Sequence, residues 1–143
     1  MQSIEELEMK AWLNRAFYAN QKAKALEKLA EQCKERAQGL TVNWEQNDKG
    51  KSDGAVNGTE NALLRLTELN EKAHTLRVEC TELVVEILKK IETLHDDDLE
   101  SVLICKYINF YTLEKTAELL NYHPNTVKKK IKKAILKLCT EMS

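Results

Sequence analysis

Residues 112–138 read TLEKTAELLNYHPNTVKKKIKKAILKL, and their caps and breakers set the architecture of this end of the chain. Thr112 caps a predicted helix over Leu113 to Leu120, in which Ala117 supplies the small side chain that a close helix crossing requires. Asn121-Tyr122-His123 is then a turn, because asparagine is the non-glycine residue that most readily takes a left-handed backbone. Pro124 opens the next helix, since its fixed φ and missing donor suit a first helical position and forbid an interior one. That helix places Val127, Ile131, Ala134, Ile135 and Leu138 on one face. Its other faces carry Lys128, Lys129, Lys130, Lys132, Lys133 and Lys137, with no acid between Asn121 and Thr140.

A short helix, a turn with alanine four residues before it, and a basic third helix together describe a helix-turn-helix. Six phosphate-directed charges on one helix imply strong, salt-dependent attraction to a nucleic-acid backbone, against the blander reading of a solvated lysine face. A further helix precedes this pair: Leu99, Val102, Leu103 and Tyr107, with Ile104 and Ile108 beside them, give it an apolar face that ends at Asn109-Phe110-Tyr111. Asp97 is its expected cap, with Glu100 closing a capping box. His95-Asp96-Asp97-Asp98 invites a metal reading, but adjacent carboxylates on one turn point apart and no second cluster completes a cage.

Towards the N-terminus the pattern becomes heptad. Met9, Ala16, Ala23, Ala30 and Ala37 recur every seven residues, interleaved with Trp12, Ala19, Leu26 and Cys33. Leu66, Ala73, Cys80, Ile87 and Leu94 form a second series beside Ala62, Leu69, Leu76 and Leu83, widened by Val84 and Ile91. Between them Gly39, Gly50, Gly54 and Gly58 mark a long loop over 39–58, in which Thr41-Val42 and Ala55-Val56 offer a weak hairpin and Trp44 an indole to dock on a neighbouring helix. The expected architecture is therefore all-α: a long antiparallel two-helix coiled-coil hairpin over 1–95, with helices at about 3–38 and 59–94, followed by a three-helix helix-turn-helix module over 96–143. Pairing of one or both stripes between chains, in a homodimer, is the alternative to pairing within one chain.

Composition agrees with this reading. Four glycines, one proline and 6% aromatics in 143 residues leave little material for strands and turns, and a net charge of −1 excludes a uniformly basic coat. No apolar run reaches the roughly 18 residues of a membrane span, and the N-terminus has no basic-then-apolar leader, so a cytoplasmic protein is expected. Cys33, Cys80, Cys105 and Cys139 lie too far apart in sequence for a zinc or redox motif and are expected as reduced core thiols. No glycine-rich phosphate loop, nucleophile elbow or patterned histidine suggests an enzyme, a cofactor or a small-molecule substrate.

Residues 103–108, 112–127 and 134–138 resemble region four of bacterial sigma factors, and more narrowly the ArpU/RinA-type late transcription activators of phages and prophages of Gram-positive bacteria. The close match covers about forty residues; the heptad region agrees only in length and helical character. Phe110 stands where a glycine is common, Thr116 where an isoleucine is usually buried, and His123 replaces the usual serine cap. The resemblance implies that Pro124, Asn125, Thr126, Lys128 and Lys129 lie near the major groove of double-stranded DNA, with Lys132 and Lys133 further along on phosphates. Asn125 is the best base reader by chemistry, because its amide pairs bidentately with adenine. No arginine follows Arg77, so the strongest guanine reader is missing. The expected function is a DNA-binding transcription regulator whose rods contact RNA polymerase or a second copy. The alternative is a coiled-coil assembly protein such as a small terminase-like packaging subunit, which a closed ring of eight or more copies would favour.

Overall fold

The computed structural model of the chain describes residues 3–46 and 52–142, with side chains described over 3–36 and 60–140. It is all-helical, with six helices and no strand among the described residues: α1 (Ile4–Leu13), α2 (Arg15–Gln46), α3 (Ser52–Glu92), α4 (Asp97–Leu103), α5 (Leu113–Leu120) and α6 (Pro124–Met142). A π-helical turn over Ile104–Ile108 continues α4.

Local chemistry explains most of the boundaries. Ser3 and Glu6 form a reciprocal capping box at α1, where Ser3 Oγ accepts from the Glu6 amide at 3.1 Å. Asn14 separates α1 from α2 while keeping right-handed backbone, and Tyr18 N–H donates to its carbonyl at 3.1 Å, so helical bonding crosses the break. At the end of α3, Thr93, Leu94 and His95 donate three residues back, and His95 takes φ 51°. Asp96, one residue earlier than expected, caps α4 by accepting from the amides of Asp98 and Leu99, and Glu100 Oε2 accepts from the Asp96 amide at 3.1 Å. The run of three aspartates offers equivalent caps in sequence, and the positive φ of His95 selects the first of them.

The loop expected over 39–58 is helical on both sides, through Gln46 and from Ser52, and helix also replaces the weak hairpin over 41–42 and 55–56. Glycine lowers helix propensity by about 1 kcal/mol but keeps its N–H, so it weakens a helix without forbidding one as proline does. Residues 47–51 and the Trp44 side chain lie outside the described residues.

Two compact units emerge, one of residues 1–19 with 79–143 and one of residues 20–78. This division departs from the expected boundary at 95. In the first unit Met9, Leu13 and Ala16 share a single core with Ile87, Ile91 and Leu94 of α3 and with Leu99, Val102, Leu103, Val127, Ile135 and Leu138. α1 packs directly against α6. The N-terminal residues therefore complete the core of the C-terminal helices instead of belonging to a separate rod.

In the unit of residues 20–78, Ala23, Ala30 and Ala73 are buried at the heptad positions. Arg77 joins the two helical segments: it makes a two-pronged contact to the Glu27 carboxylate at 2.8 Å and donates to Asn20 Oδ1 at 2.6 Å. The guanidinium holds the Glu27 carboxyl below the usual carboxylate range.

Candidate nucleic-acid interface

The α5–turn–α6 segment follows from three local devices. Thr112 Oγ1 accepts from the Lys115 amide at 3.1 Å and fixes the start of α5. Asn121 ends it with φ 60° and ψ 45°, and the Tyr122 amide reaches back to the Ala117 carbonyl at 2.9 Å, a left-handed C-terminal cap. His123 then caps α6 through its ring: Nδ1 accepts from the Asn125 amide at 3.1 Å, and the His123 carbonyl receives the Val127 amide at 3.1 Å. Imidazole thus serves as the side-chain cap of α6.

α6 divides cleanly by face. Val127, Ile131, Ala134, Ile135 and Leu138 are buried, as their spacing predicts. Ala117, 4% exposed, lies where α5 packs on α6. Of the residues expected at DNA, Asn125, Lys128, Lys129, Lys132 and Lys133 are exposed, while Pro124 and Thr126 are half-buried. At about 100° per residue, Asn125, Lys129, Lys132 and Lys133 fall within one arc of about 100° that faces away from the core. Lys137 is also exposed.

Lys130 belongs to a different set. Its Nζ donates to Asp98 Oδ2, and Tyr122 OH donates to Asp98 Oδ1, so both carboxylate oxygens are used. Lys130 Nζ also sits over the Tyr122 ring, 4.8 Å from its centroid. Hydrogen bonds from Lys130 and then Tyr122 hold the Asp98 carboxyl below its ordinary range, and the same carboxylate pushes the Lys130 ammonium and the Tyr122 phenol up. The cluster joins the first turn of α4, the turn before α6, and α6 itself. Lys130 is one of the six cations of α6 but not one of the residues expected at DNA. Helical angle does not single it out: Lys130 and Lys128 lie about equally near the buried face on opposite flanks of α6, and only the tertiary placement of Asp98 and Tyr122 distinguishes Lys130.

Among the described residues no group of three or more His, Cys, Asp and Glu side chains could hold a metal ion, and Asp96 and Asp98 are engaged in capping and in the Lys130 contact. Among the same residues, no helix is long and apolar enough to cross a membrane. Lys115 stands 5.9 Å from the Tyr111 ring at the start of α5, so a further cation lies beside the helix that precedes the turn. No family model matches the chain, and comparison with curated proteins and with solved structures returns no match.

Proposed function

We propose that the chain is a cytoplasmic DNA-binding transcription regulator of the ArpU/RinA type, an antiparallel helical hairpin followed by a three-helix helix-turn-helix module. In this reading α6 seats in the major groove of promoter DNA, and the long helices contact RNA polymerase or a second copy. One observation carries it. The outward arc of α6 presents Asn125, Lys129, Lys132 and Lys133 with no carboxylate among them, directly after a left-handed turn that fixes the helix against α5. Lysines on an exposed helix face supply backbone attraction without sequence information, and the Asn125 amide supplies base readout. Double-stranded DNA fits such a face better than single strands, because no exposed aromatic platform interleaves with the lysines of α6.

Fluorescence anisotropy on duplex DNA across a salt series tests this. Replacing Lys128 and Lys132 with alanine is expected to weaken binding to duplex DNA and to reduce the log-log salt slope by about one or two. An unchanged slope removes α6 from the interface.

A further inference from the structure

We infer that Asp98 is a specificity-determining residue: it engages Lys130 together with Tyr122 and so withholds one α6 cation from the DNA backbone. The inference deepens the DNA-binding reading and rests on it.

Three observations point the same way. First, the contact is selective. Lys130 is half-buried, with its side chain 26% exposed, while its neighbours Lys128, Lys129, Lys132 and Lys133 are exposed. Second, the cluster is closed upon itself. Asp98 accepts from both Lys130 and Tyr122, and the ammonium also lies over the Tyr122 ring, so all three side chains are used. A phosphate competing for Lys130 meets an ammonium whose charge is already offset by a charge-assisted bond to Asp98 and a cation–π contact with Tyr122. Third, the carboxylate acts beyond its partner: Asp98 also attracts Lys133, and Asp96 attracts Lys130. The first turn of α4 thus sets negative charge beside a helix otherwise devoted to positive charge.

The consequence is a difference between two kinds of binding. Non-specific binding consists almost wholly of phosphate contacts, and specific binding adds base contacts. Engaging one cation and placing a carboxylate beside the rest lowers the phosphate contribution on every sequence alike. Base readout through Asn125 then makes up a larger share of binding at the correct site, and the ratio of specific to non-specific affinity rises. An excess of lysine without this restraint would hold the protein on arbitrary DNA.

The test measures salt dependence on a mixed-sequence duplex with the full chain. Asp98→Asn keeps the shape and an acceptor for Tyr122 while removing the charge. It is expected to tighten non-specific binding several-fold and to steepen the log-log slope by about one, as Lys130 joins the phosphate set. The double variant Asp98→Asn with Lys130→Gln is expected to return the slope to the wild-type value. A second comparison does not depend on how Asp98→Asn folds: Lys130→Gln alone is expected to leave the slope unchanged, whereas Lys132→Gln makes it shallower by about one. Equal losses from Lys130→Gln and Lys132→Gln would overturn the inference and leave the DNA-binding reading intact. No salt-dependent binding by the wild-type chain would overturn that reading, and the inference with it.

Discussion

Thr116 buries a hydroxyl for which the described residues offer no hydrogen-bond partner: it is 1% exposed and its Oγ1 is unpaired. A buried polar group without a partner costs about 1–3 kcal/mol, and replacing it with an apolar group of the same shape removes that cost. Thr116→Val is therefore expected to stabilise the chain by about 1 kcal/mol, read as a higher midpoint in urea unfolding; a lower midpoint would mean that the hydroxyl is satisfied. The sequence marked Thr116 only as a departure from the resembled pattern, because burial of one atom is a property of packing. Residues whose role is local were more legible. Thr112, Asn121 and Pro124 act through their own backbone and nearest neighbours, and each stands where its chemistry predicts. The cap of α4 was read one residue late, at Asp97 instead of Asp96, because only the tertiary course of the chain distinguishes adjacent aspartates.

At the scale of elements, the predicted helix after Asp97 changes character midway. α4 gives way at Ile104 to a π-helical turn, in which the Asn109 amide donates to the Ile104 carbonyl at 2.9 Å. The wider turn lets Tyr107 join Leu99, Val102 and Leu103 in the core while Lys106 stays exposed. Apolar spacing announced the buried face but not the bonding register, since one residue more per turn leaves little mark on a short pattern. Burial pushes the Tyr107 phenol up to about 12 from an ordinary 10.0. Both states hold the proton below about pH 9, so this phenol does not change stability there. As pH rises from 10 towards 12 the unfolded chain releases it first, and stability falls by up to about 3 kcal/mol. Tyr107→Phe is expected to lose less stability than wild type between pH 8 and pH 11 in paired urea titrations. Identical losses would mean that the phenol reaches solvent. Glycine content misled at this scale, for the helices pass through Gly39, Gly54 and Gly58.

At the scale of the molecule, heptad periodicity identified which faces are buried without naming what covers them. Ala16, Ala73, Cys80, Ile87 and Leu94 are all buried as their spacing predicts. Yet the same stripes serve two compact units: Met9, Leu13 and Ala16 enter the core shared with α4, α5 and α6, while Ala23 and Ala30 lie in the unit of residues 20–78. Periodicity is a one-dimensional signal, and a stripe reads the same whether its partner is a neighbouring rod or a distant module. A consequence for folding follows. Leu13 is fully buried in the core that α6 completes, and deleting its side-chain carbons creates a cavity costing about 2–5 kcal/mol. Leu13→Ala is expected to weaken the amide-exchange protection of Ile131, Ile135 and Leu138, more than a hundred residues away in sequence. Residues 96–143 expressed alone lack Met9, Leu13, Ala16, Ile87, Ile91 and Leu94 from that core, and are expected to show weak protection along α6 and a broad thermal transition. Full protection of α6 in the 96–143 fragment would show that α4, α5 and α6 stand without the N-terminal helix. Its loss in both would make residues 1–19 part of the module that presents the lysine face.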